Sequence, residues 1–213
     1  MNIIKFFNKE INNKITWIIF IIILSLFFLV QITTRLHTFE ITDEYGYYYE
    51  AKLMAEGAVP YKDFIFVHPP LRLYLLFLTG KLFGFQFATL KLVSLFIVLV
   101  GTIFLFKLLK EFFGNSEALI GTTLFLSSSD ILWWSTISVG IMEALSFSVV
   151  GMYLLLKKKY FLGGFIFGLT ILIQTYSLPI FAALLLYISF EFEGKGLKFK
   201  YKRAYATVLG FLI

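Results

Sequence analysis

Apolar residues run almost without interruption on both sides of one stretch, Ile41 to Leu73, in which acids, bases, tyrosines and prolines gather. Upstream, Ile15 to Val30 carries no charge and is long enough to cross a hydrocarbon core that takes about 20 residues of helix. Downstream, the apolar runs Phe87 to Phe106, Ala118 to Leu126, Val139 to Leu156, Phe161 to Thr175 and Leu178 to Phe190 are separated by short polar or basic breaks. The pattern predicts an all-α, polytopic membrane protein of about seven transmembrane helices. Its parts are a cytoplasmic N-terminus (1–14), a first transmembrane helix (15–32), an external loop with amphipathic juxtamembrane helices (33–86) and a transmembrane bundle (87–213). The run Ala204 to Ile213 opens a seventh span about half as long as a bilayer requires. The expectation from that short run is a fragment, or a last helix completed by a partner chain.

Orientation follows from the basic residues. Lys5, Lys9 and Lys14 precede the first span, and an acid-rich loop follows it, which places the N-terminus in the cytoplasm and the loop outside. Leu71 to Phe83 is short for a span and is broken by Arg72, Gly80 and Lys81. If it lies at the outer surface, Lys107 with Lys110, the triple lysine 157–159 and the cluster from Lys195 to Arg203 all fall on the cytoplasmic side. If it crosses, the triple lysine falls outside, against the positive-inside rule. The non-crossing arrangement is the one expected.

Composition narrows the class further. The chain has 213 residues, 59% of them apolar and 20% aromatic, against roughly 45–50% apolar in soluble domains. A net charge of +6 spread in clusters between apolar runs reads as membrane orientation, so nucleic acid is not an expected partner. With no cysteine and two histidines, His37 and His68, disulfide frameworks, thiolate metal sites and all-histidine sites are set aside.

The candidate chemistry lies in the outer loop. Thr42 is the expected N-cap of a helix from Asp43 to about Glu56, with acids in its first turn, ended by Gly57. Tyr47, Tyr48, Ala51, Met54 and Ala55 share one face at helical spacing, so that helix should lie along the membrane surface. Asp43 and Glu44 are a candidate catalytic pair; the plain alternative is a pair of ordinary first-turn acids. Pro60, Pro69 and Pro70 stiffen the connector that follows. Lys62, His68 and Arg72 form a cationic set suited to a phosphorylated substrate, although His68 alone would read as a satisfied interfacial residue. Glu143 lies inside a predicted span, where an acid is a functional candidate by default; a first-turn acid satisfied by its helix N-terminus is the alternative. Ser127 to Asp130 reads as a polar turn, Trp133 and Trp134 as an interfacial belt, and Gly163, Gly164 and Gly168 as a close helix contact. Gln174 and Tyr176 line either a cavity or ordinary packing.

The order DE, YYYEAKLMAEG, PYKDF, HPPL and then a short helix ending in KLFG resembles the first outer loop of polytopic GT-C glycosyltransferases. The closest likeness is to the dolichyl-phosphate-mannose protein mannosyltransferase superfamily and the related lipid A aminoarabinose transferases. The resemblance implies transfer of a sugar from a polyprenyl-phosphate carrier to a protein, lipid or glycan acceptor on the outer face, with inversion at the anomeric carbon. It places Asp43 as general base or orienter of the acceptor, with Glu44 beside it. Lys62, His68 and Arg72 would serve the lipid phosphate, and Glu143 the substrate side. His68 matches the mannosyltransferase form, since the aminoarabinose transferases carry lysine there. No organic cofactor is implied, and a divalent metal is left open. A non-catalytic scaffold or one part of a split enzyme is the alternative. A small transporter subunit, which calls for ionisable groups near the bilayer midplane, is the more distant one.

Overall fold

The computed structural model describes residues 12–38, 42–193 and 196–213; Lys5, Lys9, residue 41 and Lys195 lie outside them. The order of elements is α1 (Asn13–Arg35), α2 (Thr42–Ala55), α3 (Leu71–Phe83), α4 (Phe87–Phe113), α5 (Asn115–Ser127), α6 (Ser129–Trp134), α7 (Ile141–Leu156) and α8 (Tyr160–Ile171). A 3-10 turn (Thr175–Ser177), α9 (Leu178–Ser189), strands β1 (Phe190–Glu193) and β2 (Gly196–Phe199), and α10 (Tyr201–Leu212) complete it.

α4 is the axis of the molecule. Its 27 residues extend roughly 40 Å, and three apolar clusters lie along them. Leu90 joins Tyr47, Ala51, Phe66, Leu73 and Ile137; Leu95 and Val98 meet Phe27, Leu126 and Met142; Phe106 stacks on Phe20 at 4.0 Å. The first cluster fastens α2 and α3 onto the bundle. α1 and α4 are the two helices long and apolar enough to cross a membrane, and Ile18, Ile21, Ile22, Leu26 and Leu29 leave an exposed apolar row along α1. α7, α8 and the segment Thr175–Ser189 are apolar but shorter, so among the described residues two helices, not seven, have full spanning length.

Three expectations change. The fold is nearly all-α rather than all-α, because an antiparallel hairpin pairs Phe190 with Phe199 and Glu191 with Lys198 at the start of the basic cluster. The alternating run Phe-Glu-Phe-Glu and the Gly-Lys-Gly sequence that follows it favour a hairpin over a helix. The polar turn at Ser127 to Asp130 is reduced to a break at Ser128: Ser127 ends α5, Ser129 and Asp130 begin α6, and the Ser128 side chain caps α6 by accepting from the Ile131 amide. Thr42 is the first helical residue of α2 rather than its cap.

The glycine contact is present. A Cβ on Gly164 would stand 1.9 Å from the Thr207 carbonyl oxygen, and one on Gly210 would stand 2.0 Å from that of Phe161. Only hydrogen at these positions lets the backbones of α8 and α10 touch.

Candidate functional site

α2, α3, the start of α4 and the segment 135–143 converge on a buried polar cluster. The predicted acid pair is divided by its own helix: adjacent residues on α2 point about 100° apart, so Asp43 is exposed while Glu44 is 3% exposed. The Ser138 amide donates to Glu44 Oε1 at 3.1 Å, and Lys91 Nζ lies 3.4 Å from Oε2. Lys91, itself 1% exposed, also donates to the Arg35 carbonyl at 3.5 Å. Glu44 therefore ties the outer loop to α4 and to the connector before α7. Taking two charges out of water is costly unless they compensate each other, so this pair specifies where α2 docks.

Arg72, in the first turn of α3, is the most informative side chain. It is 2% exposed, and its guanidinium lies over the Tyr47 ring at 3.8 Å. Its Nε, Nη1 and Nη2 find no hydrogen-bond acceptor among the described residues. Buried polar groups are ordinarily paired; here the Tyr47 side chain is the guanidinium's near neighbour, and the planar fork of donors is of the kind that binds carboxylate or phosphate oxygens. Burial pushes Arg72 below its ordinary value, while Glu143, Tyr47 and Glu44 oppose that shift. Burial likewise pushes up the Tyr47 phenol; Arg72 opposes, and the charges of Asp43 and Glu50 add to the rise. Exposed Asp43 therefore lies within electrostatic reach of the cluster. Burial also raises Glu50 against the pull of Arg72, and Glu50 Oε2 is a second buried atom with no partner among the described residues.

The far wall comes from α7. Gly140 adopts the left-handed conformation (φ 86°) just before the helix, and a Cβ there would sit 2.8 Å from Arg72 Cδ and 3.0 Å from Gln174 Nε2. Glu143, 3% exposed, accepts from Ser94 Oγ at 2.6 Å, and its Oε2 has no partner among the described residues. Gln174 donates to the Val139 carbonyl at 3.1 Å. The Leu71 amide donates to the Leu172 carbonyl at 2.9 Å, tying the start of α3 to the end of α8. The Tyr176 phenol is pushed up to about 12 by burial, with Glu143 adding and Arg72 opposing.

Of the predicted cations, Arg72 is in the cluster and His68 is at its edge, its ring 5.5 Å from that of Tyr47. Lys62 is exposed. It sits in a turn where Asp63 accepts from the Val59 amide at 2.8 Å and Tyr61 Oη donates to the His68 carbonyl at 2.7 Å. Lys91, Ser94, Tyr47, Glu50 and Gly140 were not foreseen as site residues. For Lys91 the signal was present: a lysine a full turn inside an apolar run is as much a functional candidate as Glu143. The other four carry no signal without the contact map.

Beneath the cluster, a cavity of about 280 Å³ is walled by Phe96, Ile97, Val100, Phe147, Val150 and Ile166, with Ser146. It starts two residues beyond Ser94 on α4 and three beyond Glu143 on α7. The arrangement offers an exposed carboxylate, a buried cation and, further along α4 and α7, an apolar cavity.

No curated protein and no solved structure matches the chain. The family model described as dolichyl-phosphate-mannose-protein mannosyltransferase matches residues 67–213, a region that takes in His68, Arg72, Lys91 and Glu143 and begins after Asp43 and Glu44. By that match the chain belongs to the dolichyl-phosphate-mannose-protein mannosyltransferase family, and with it to the GT-C superfamily of membrane glycosyltransferases.

Proposed function

We propose that this protein is a multi-pass membrane enzyme that transfers a sugar from a polyprenyl-phosphate carrier to an acceptor hydroxyl on the outer face, with inversion. In this reading residues 33–86 are external and the basic clusters are cytoplasmic. The exposed Asp43 carboxylate takes the proton of the acceptor hydroxyl as its oxygen attacks the anomeric carbon. The bond between that carbon and the phosphate oxygen breaks, and the electron pair leaves with the lipid phosphate. That anion needs cations rather than an acid, and Arg72 supplies them at close range, with His68 beside it and Lys62 on the approach. Glu143, held by Ser94, orients the sugar or the acceptor. Glu44 serves less as a second base than as the anchor that aims Asp43. The isoprenoid tail runs into the channel walled by Phe96, Phe147 and Ile166.

The observation that supports this reading is Arg72: a guanidinium 2% exposed, its three nitrogens without a hydrogen-bond acceptor among the described residues, stacked on Tyr47, a phenol that feels the charge of Asp43. The test is transfer from a radiolabelled polyprenyl-phosphate sugar in purified membranes. Asp43→Asn keeps the shape and removes the base; its rate is expected to fall by about 10²–10⁴-fold at unchanged expression. Arg72→Met is expected to lose transfer and donor binding together. A non-catalytic scaffold predicts that neither substitution changes anything.

A further inference from the structure

Far from the outer cluster, α9 and α10 are joined by the β1–β2 hairpin, and a cavity of about 470 Å³ opens against it. Apolar side chains of Leu155, Leu156, Leu186 and Leu197 line this cavity together with Lys158 and Arg203. Its size falls within the roughly 300–1,000 Å³ of sites that hold small molecules. The hairpin register puts Phe190 opposite Phe199 and Glu191 opposite Lys198, so one face is apolar and the other charged. The apolar face is not covered by protein: Phe199 is 55% and Leu197 57% exposed. A lone two-stranded hairpin is marginal in water, and one that leaves Phe199 and Leu197 outward beside the apolar α9 suits a lipid boundary.

The charge here is one-sided. Between Phe190 and Arg203 five cations stand against two acids, and Glu191 is already shared between Arg203 at 2.7 Å and Lys200 at 3.4 Å. Lys157 is held by Glu111 at 2.7 Å, whereas its neighbour Lys158, in the left-handed conformation at φ 61°, has no ion-pair partner among the described residues and lines the cavity. The cavity's charged lining is Lys158, Arg203 and Glu191, and since Glu191 is shared by two cations the balance is positive. With the apolar walls this fits a ligand that is an anion at one end and a hydrocarbon at the other, and a basic segment beside the bilayer attracts that class of lipid.

We propose that the cavity between the ends of α7 and α9 and the hairpin binds one anionic phospholipid, its phosphate at Lys158 and Arg203 and an acyl chain against Leu155, Leu186 and Leu197. This site does not depend on the catalytic reading.

The full chain, reconstituted in vesicles of phosphatidylcholine alone or with added phosphatidylglycerol and then released into detergent, would be weighed as an intact complex. Retention of phosphatidylglycerol over phosphatidylcholine is expected, falling on the order of fivefold for each of Lys158→Gln and Arg203→Gln and falling again with added salt. Leu197→Asn should weaken retention without changing its salt dependence. Circular dichroism of each variant confirms that it is folded. Equal retention of the two lipids, an unchanged preference in the folded Lys158→Gln/Arg203→Gln variant, or co-purification of an acidic protein in place of lipid would each overturn the proposal.

Discussion

The protein keeps two concentrations of charge that behave in opposite ways. At the outer cluster, Glu44, Lys91, Arg72 and Glu143 are each 3% exposed or less. At the hairpin, Glu191, Lys200 and Arg203 form pairs of similar or shorter length but are 24–46% exposed. In water the hairpin pairs are screened and replaceable; inside the fold each charge depends on its partner. A given distance therefore means a positional constraint in the first place and a binding surface in the second. Burial, rather than distance, decides which.

The comparison is broken most severely at Lys91. Lys91→Met leaves Glu44 buried without its cation and is expected to cost about 3–5 kcal/mol, read as a fall in the detergent melting temperature. Adding Glu44→Leu should return part of that stability but not transfer activity, since Asp43 would no longer be aimed. Full recovery of transfer would show that the pair only packs.

A smaller effect is expected at Gly140. Gly140→Ala places a Cβ at φ 86° against Arg72 and Gln174 and should cost about 1–3 kcal/mol, with donor binding weakened more than folding, as comparison of KM with the melting curve would reveal.

The pH profile offers a finer probe. Glu50 lies above its ordinary 4.5 in the fold, so its stabilising contribution is fully present below pH 4.5 and is lost as pH rises through the raised value. Glu50→Gln should hold its melting temperature across that rise while the wild type declines. A steeper decline in the variant would mean that Glu50 is held as a carboxylate.

The smallest effect belongs to the hairpin. Glu191→Gln should leave the melting temperature unchanged at any salt concentration, because both its partners remain solvated. Labelling of Lys62→Cys by a membrane-impermeant reagent in intact cells tests the external assignment of the loop, and protection of that cysteine would reverse it.

Much of the architecture was legible in advance because helix length and hydrophobic pattern are local properties. The helix Leu71–Phe83 has the bounds its pattern predicts, and the small residues at 164 and 168 mark a real backbone contact. The hairpin was hidden because a four-residue strand between basic residues resembles a linker. Within the site, the sequence by itself named Arg72, His68 and Glu143, since charged residues in an otherwise apolar chain are conspicuous. It could not divide Asp43 from Glu44, because adjacent acids differ only by the 100° turn between them and by what each turn then meets. That division arose when Lys91, 47 residues onward in α4, and the Ser138 amide came to one side of α2. The sequence determined that ionisable groups would gather in the stretch between the first apolar run and the later ones. Only the tertiary structure decided which were buried, and so which hold the site in place and which remain available for chemistry, because burial depends on neighbours distant in the chain.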